Sequence, residues 1–347
     1  MHNFRWLRTF SLILITLLGA GCNPFRGRTS PITNPDGVAI LESVTLGGMQ
    51  QWILIRGQDK TAPVLLWLHG GPGAAQMPLV HAYNRELEED FIVVHWDQRG
   101  AGKSNPKNFD ESTMTIQQFV QDAHELTLYL KDKFHHDKIY LAGHSWGTQF
   151  GVLLARDYPQ DYHAYIGISQ VSDPRRNGEL AWVWLAEQVQ TAGSRKDQQR
   201  LEELGGPPFA EHDRYVRFAK MIEAFGGGTD LPFGKQVQAA LAAPEYTVRD
   251  YAAWLRGANR GSGPMWEATQ DFNLWQDVPR LNLPVYFLMG ANDRNTNPAL
   301  VQEYLQNLEA PLGKTLILFE DSAHTPFLAQ PEDFHQALLR IKQETLP

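Results

Sequence analysis

The chain has 347 residues, long enough for one large α/β domain with an insertion or for two domains. Hydrophobic residues make up 43% and aromatics 11%, the composition of a folded protein of enzyme size and not of a disordered chain. A net charge of −8 gives no basic footprint and so argues against nucleic acid as a partner.

The first segment reads as a targeting signal. Arg5 and Arg8 supply a positive start, and Phe10 to Leu18 form an apolar core that ends in Gly19-Ala20-Gly21-Cys22. That core is short for a membrane span and closes on small residues, as signal peptides do. Cys22 is the only cysteine in the chain. A lone cysteine directly after small residues resembles the lipobox of bacterial lipoproteins. The resemblance implies a diacylated thiol at a new N-terminus, and with it an extracytoplasmic protein of the bacterial cell envelope, held to a membrane through its lipid. The alternative is a plain secretory signal with an incidental cysteine, which gives a secreted or periplasmic protein. Residues 1–21 are thus taken as the signal peptide, and 22–36, rich in Pro, Gly, Asn and Thr, as a tether.

Val38 to Leu46, a Gly47-Gly48 turn and Gln50 to Arg56 predict a hairpin. Val64 to Leu68 (VLLWL) is a continuous apolar run, the mark of a strand buried on both faces. It leads into His69-Gly70-Gly71-Pro72-Gly73. Three glycines and a proline in five residues exceed the needs of a simple turn. They let backbone N–H groups approach a substrate carbonyl, as an oxyanion hole requires. Phe91 to Trp96 predicts the next strand, followed by DQRGAGKS at Asp97 to Ser104. Its ending lacks the four-residue spacing between the glycines of a phosphate loop, and no helix begins promptly, so nucleotide binding is set aside. Thr115 to Phe134 predicts a helix with a Thr115/Gln118 capping box and apolar residues at Ile116, Phe119, Ala123, Leu126 and Leu130.

Ile139 to Ala142 is a second apolar run, and Gly143-His144-Ser145-Trp146-Gly147 follows it directly, with a helical stretch from Thr148 to Tyr158. This is a G-x-S-x-G nucleophile elbow in its required context of strand, sharp turn and helix. A serine at the tip of a strained turn presents its hydroxyl to substrate, and the flanking glycines remove side chains that would clash. The helix behind it brings N–H groups and a positive dipole end to a developing oxyanion. Ala164 to Ile168 predicts a further strand. The alternation of strands and helices argues for a mostly parallel, doubly covered sheet.

After Ser172 the pattern changes. Residues 173–275 contain helical stretches, broken at Gly205-Gly206-Pro207-Pro208 and at Gly226-Gly227-Gly228, and no strong buried strand. They predict a helical cap inserted into a core formed by 37–172 and 276–347. Most of its aromatics, among them Trp182, Trp184, Phe209, Tyr215, Phe218, Trp254 and Trp266, are expected to pack between cap helices, and a few to roof a pocket from which water is excluded. Val285 to Met289 resumes the sheet and is followed by Gly290-Ala291-Asn292-Asp293; Thr315 to Phe319 closes it, followed by Glu320-Asp321-Ser322-Ala323-His324. Ser145, Asp293 and His324 each follow a predicted strand, in the chain order of a hydrolase triad. His324 would take the proton of Ser145, and Asp293 would hold the imidazole in its working tautomer. The other histidines are read as surface or packing residues. No H-E-x-x-H and no paired cysteines point to a metal, and no cofactor is implied.

From about Val38 onward the chain resembles the α/β-hydrolase superfamily, and more closely the proline iminopeptidase-like serine peptidases. The matching pieces are HGGPG at His69 to Gly73, DQRGAGKS at Asp97 to Ser104, GHSWGT at Gly143 to Thr148, GANDRNTNP at Gly290 to Pro298 and SAHTPF at Ser322 to Phe327. The resemblance implies an α/β-hydrolase fold, catalytic Ser145, Asp293 and His324, and an oxyanion hole from the N–H groups of Gly71 and Trp146. It also implies cap carboxylates that bind the free amine of a short peptide; Glu179, Glu187 and Glu267 are the candidates. Such peptidases usually carry Gly where His144 stands. The expected activity is serine hydrolysis through an acyl-enzyme, with release of N-terminal residues from small peptides. An esterase or amidase of small acyl compounds is the chemical alternative, and a non-catalytic binding protein on the same fold the alternative of another class.

Overall fold

The computed structural model describes residues 27–346. Residues 1–21, expected to be a signal peptide, and Cys22 lie outside the described residues. The run VLLWL forms strand β3 (Val64–Leu68), and its alternation explains its composition. Val64, Leu66 and Leu68 enter one apolar cluster while Leu65 and Trp67 enter another on the opposite side of the sheet. A strand covered on both faces has no polar side to show, so every position is apolar.

Strands β1 (Val38–Leu46) and β2 (Met49–Gly57) form the antiparallel hairpin that the Gly47-Gly48 turn predicts. β4 (Ile92–Asp97), β5 (Ile139–His144), β6 (Tyr162–Ile168), β7 (Val285–Gly290) and β8 (Lys314–Phe319) complete an eight-stranded sheet of order β1-β2-β4-β3-β5-β6-β7-β8. β2 pairs antiparallel with both its neighbours; from β4 to β8 all pairings are parallel. Because β4, β3, β5, β6, β7 and β8 all pair in parallel, the carboxyl ends of β3, β5, β7 and β8 lie along one edge of the sheet.

Helices α1 (Met77–Tyr83), α2 (Ile116–Phe134) and α3 (Trp146–Asp157) belong to the first half of the core. Between β6 and β7 lie α4 (Pro174–Ala192), α5 (Arg195–Leu204), α6 (His212–Ala224), α7 (Phe233–Leu241), α8 (Val248–Arg260), α9 (Trp266–Gln270) and α10 (Leu274–Asp277). The core then finishes with α11 (Pro298–Asn307), α12 (Pro326–Ala329) and α13 (Pro331–Thr345). Apolar faces of α2, α3 and α11 cover one side of the sheet; α12 and α13, through Phe327, Phe334, Leu338 and Ile341, cover the other. At the start of α2 the Thr115 hydroxyl accepts from the Gln118 N–H at 3.1 Å, but the Gln118 amide turns to Asp122 at 2.8 Å, so only half of the predicted capping box is made.

The inserted helices bury their own cluster, in which Ala181, Leu185 and Val189 of α4 meet Leu204, Phe218, Met221 and Ile222. The spacing of four along α4 defines one buried stripe. Toward the core, α8 sits directly on the loop after β3. A Cβ on Gly257 would lie 2.8 Å from the Gly73 carbonyl oxygen and 2.9 Å from that of Gly100. Only glycine permits that approach of helix to loop. Trp254 locks the same contact by donating its indole N–H to the Ala75 carbonyl at 2.8 Å.

Candidate active site

Ser145 stands between β5 and α3 with φ of 53° and ψ of −119°, a backbone conformation that a non-glycine residue adopts only under constraint. The constraint is visible on both flanks. A Cβ at Gly143 would lie 2.7 Å from the Gly147 carbonyl oxygen, and one at Gly147 would lie 2.3 Å from that of Leu68 at the end of β3. The elbow is therefore folded against its own helix and its neighbouring strand. The Ser145 N–H donates to Ile168 at 3.0 Å, and the Thr148 hydroxyl donates to the Ser145 carbonyl at 2.6 Å.

The structure brings Ser145, His324 and Asp293 together. Ser145 Oγ lies 2.9 Å from His324 Nε2, and His324 Nδ1 lies 2.8 Å from Asp293 Oδ2. The remaining bonds of Asp293 fix its carboxylate plane. Oδ1 accepts from the N–H groups of Asn295 at 2.8 Å and Thr296 at 2.9 Å, and Oδ2 accepts from the Thr296 hydroxyl at 2.6 Å. Asp293 has no exposed surface and His324 retains 8%. Burial pulls the His324 imidazolium toward deprotonation, but the charge of Asp293 and the hydrogen bond to it, with more distant help from Asp230 and Glu223, lift it above its ordinary value. Such an imidazole is a good proton acceptor for a hydroxyl bonded to its Nε2.

His144, which occupies the variable position of the elbow, is part of this machinery and not a bystander. Its Nδ1 accepts from Gln76 at 2.8 Å, and its Nε2 donates to the carbonyl of His324 at 2.9 Å. Burial holds its pKa down at about 3, so it stays neutral with the proton on Nε2. The Ser169 hydroxyl donates to the same His324 carbonyl at 3.0 Å.

Gly71 and Trp146 line the cavity that contains Ser145 and His324. The Trp146 N–H belongs to the first turn of α3 and so has no acceptor within the helix. The loop around Gly71 is braced from below: His69 Nδ1 donates to Gly70 at 2.7 Å, Gln98 donates to the His69 carbonyl at 3.0 Å, and the Trp146 indole donates to Gln98 Oε1 at 3.1 Å. The segment DQRGAGKS is scaffold. Gln98 carries out that bracing, Asp97 accepts from the Tyr246 hydroxyl at 2.6 Å, and Arg99 is paired bidentately with Asp122 at 2.9 and 3.0 Å.

The cavity above Ser145 has a volume of about 240 Å³. Its roof includes Tyr215, Phe218 and Trp266, cap aromatics that reach the cavity while also packing within the cap. The charged side chains among its described lining residues are Asp173 and Arg294, with the His324 imidazole beside them. The expectation that Glu179, Glu187 or Glu267 lies at this roof is corrected here. Glu179 and Glu187 are exposed and stand two residues from Ala181 and Leu185, close to half a helical turn away from the stripe that α4 buries. Glu267 is also exposed and lines an outer chamber beside Arg175 and Phe209, one that shares Tyr215 and Trp266 with the inner one. The carboxylate that does reach the inner chamber, Asp173, was not singled out from the sequence. It caps α4, with Oδ1 accepting from the N–H groups of Arg175 at 3.1 Å and Arg176 at 3.0 Å, while Oδ2 accepts from Asn273 at 3.1 Å.

Comparison with known proteins agrees with this geometry. Residues 63–331 match the family described as alpha/beta hydrolase fold. A protein named probable aminopeptidase YbaC, from Bacillus subtilis strain 168, is 32% identical over 312 residues, covering 89% of this chain and 98% of its own. The proline iminopeptidase of Heyndrickxia coagulans is 27% identical over 280 residues, covering 78% of this chain and 87% of its own. Among solved structures, a proline iminopeptidase of Mycobacterium smegmatis superposes with a TM-score of 0.63 at 19% identity, over 88% of this chain and 99% of that one.

Proposed function

Because this chain belongs to the alpha/beta hydrolase fold family, we propose that it is a serine hydrolase working through an acyl-enzyme, and that it removes N-terminal residues from short peptides. The observation that carries the mechanism is the unbroken chain from Ser145 through His324 to Asp293, at 2.9 and 2.8 Å. Ser145 Oγ attacks the substrate carbonyl as its proton passes to His324 Nε2, and Asp293 stabilises the imidazolium that forms. The N–H groups of Gly71 and Trp146 receive the oxyanion. His324 then gives the proton to the leaving amine, and water, activated by the same imidazole, releases the acyl group.

The choice of an aminopeptidase is supported by the names of the relatives and by Asp173 in the inner chamber. A cationic amine entering a closed pocket needs a carboxylate to meet it. Asp173 Oδ2, with one bond from Asn273, has room to accept it. The test compares prolyl and alanyl arylamides with their N-acetylated counterparts and with short-chain aryl esters. A strong preference for the free amine, lost in Asp173→Asn and kept in the Gln variants of Glu179, Glu187 and Glu267, is the expected result. Asn keeps a cap acceptor for α4 while removing the charge.

A second reading, an esterase or amidase that ignores the amine, is favoured by one observation: Asp173 is already committed to capping α4 and to Asn273. Equal rates on blocked and unblocked substrates would select it. We also propose that Cys22 carries lipid and holds the protein, extracytoplasmic, to a membrane of the bacterial cell envelope. Two or more acyl chains attach stably where one binds only marginally. Cys22→Ser is then expected to move the protein from the membrane fraction to the soluble one. An N-terminal peptide that spans Cys22 without acyl mass would refute this.

A further inference from the structure

Between α6 and α7 the cap sends residues 226–230 down onto the two loops that carry Asp293 and His324. The Gly227 carbonyl accepts from the N–H of Arg294 at 2.8 Å, next in the chain to Asp293, and the Gly228 carbonyl accepts from the N–H of His324 itself at 3.0 Å. Asp230 goes further. Its Oδ1 accepts from the Ala323 N–H at 2.6 Å, and its Oδ2 accepts from the Thr325 N–H at 2.8 Å, the Thr325 hydroxyl at 2.9 Å and the Ser322 hydroxyl at 3.0 Å. Its own N–H donates back to the Thr325 hydroxyl at 3.0 Å.

One carboxylate thus holds the N–H groups of the residues on either side of His324, in the Ser322–Ala323 and His324–Thr325 peptides, while the Gly228 carbonyl holds the peptide between them. Those planes set where the imidazole begins, and a serine hydroxyl at 2.9 Å leaves little tolerance for error. Displacement of a reacting group by about 1 Å can cost on the order of 100-fold in rate. Ser322, Ala323 and Thr325 are all buried, so no solvent stands ready to replace Asp230. None of the five bonds serves the cap's own packing; all of them end on the core loop.

We propose that Asp230 is a positioning residue for this hydrolysis: through it the cap holds the loop of His324 in the register that reaches both Ser145 and Asp293. The triad is then complete only when the cap is docked. The inference rests on the serine-hydrolase reading above, and its test separates the two.

The probe is a fluorophosphonate, whose phosphorus bonds to Ser145 Oγ as fluoride leaves and the serine proton passes to His324. Its labelling rate is measured against pH for wild type, Asp230→Asn and Ser322→Ala. The charged groups that raise His324 are Asp293 from the β7 loop and Asp230 and Glu223 from the cap; Arg294 and Asp173 line the same chamber, and neutral His144 lies beneath the imidazole. Removing the negative charge of Asp230 therefore shifts the acid limb of the labelling profile to lower pH, a change that mere loosening of the fold does not produce. Asp230→Asn is expected to label on the order of 10- to 100-fold more slowly, to the same final stoichiometry, with its acid limb moved down. If Asp230→Asn does not accumulate as folded protein, Ser322→Ala, which deletes one of the five bonds, carries the test and is expected to label more slowly than wild type. Labelling of the folded variant at the wild-type rate with an unmoved acid limb overturns the inference. Wild type that never labels overturns the serine reading instead.

Discussion

Asp293→Asn isolates the electrostatic part of the triad from its geometry. Oδ1 of Asp293 accepts two backbone N–H bonds, from Asn295 and Thr296, so an asparagine must place its carbonyl oxygen there. Its amide nitrogen then falls at the position of Oδ2, against the Thr296 hydroxyl and His324 Nδ1. The hydroxyl can turn to accept, since Thr donates or accepts equally well. The imidazole must respond by accepting at Nδ1, which moves its proton to Nε2. Ser145 then faces an N–H that cannot take its proton. In serine proteases the same change of tautomer costs roughly 10⁴-fold in kcat, or about 5 kcal/mol of transition-state stabilisation at 1.36 kcal/mol per tenfold. Stability should hardly move, because the two backbone bonds and the packing persist. The assay is kcat on whichever arylamide or aryl ester the wild type turns over, normalised by active-site titration, beside a thermal melt. A variant within tenfold of wild type, with an unchanged melt, would refute the assignment of Asp293 as the group that orients His324.

Ser145→Ala should lower kcat by roughly 10⁴-fold or more with the fold intact, since members of such a unit fail together; circular dichroism and turnover check both halves. The acid limb of kcat/KM should lie above the ordinary histidine value of 6.5, because His324 is raised and activity is lost as falling pH protonates it. A limb centred below that value contradicts the role given to the charge of Asp293. Asp122→Ala strands the guanidinium of Arg99 in the core, where the Arg99 side chain is 4% exposed and Asp122 not at all. The expected cost is about 3–5 kcal/mol, read as a lower urea midpoint at an unchanged slope, far larger than that of Arg280→Ala, whose partner Glu309 is an exposed group.

The parts of this protein that could be read from its sequence are those in which chemistry repeats a local rule. VLLWL and VYFLM are apolar at every position because both faces of their strands are covered, and they fall where the runs predict. Ser145 was marked by its flanking glycines, which the elbow needs to fold against Leu68. The cap glutamates were misjudged for a reason of phase. A charge on α4 faces the site or the solvent according to which stripe the helix buries, and that stripe is set by Leu204, Phe218 and Ile222 from other helices. Asp173 hid behind an ordinary helix-capping role. Asp230 follows a glycine run that reads only as a break, and its importance comes from a contact with residues more than ninety positions away. His144 carried one usable signal, since its position in the elbow usually belongs to glycine in the family that the motifs resemble.

Two of the cap's seats on the core flank the nucleophile, on Gly73 through Gly257 and on the His324 loop through residues 226–230. A roof held at both places behaves as a size filter. The chamber beneath it, about 240 Å³, is below the roughly 300–1,000 Å³ of pockets that take drug-sized ligands. On the peptidase reading proposed above, a chamber of this size suits the end of a short chain, and so fragments that other hydrolases have already cut.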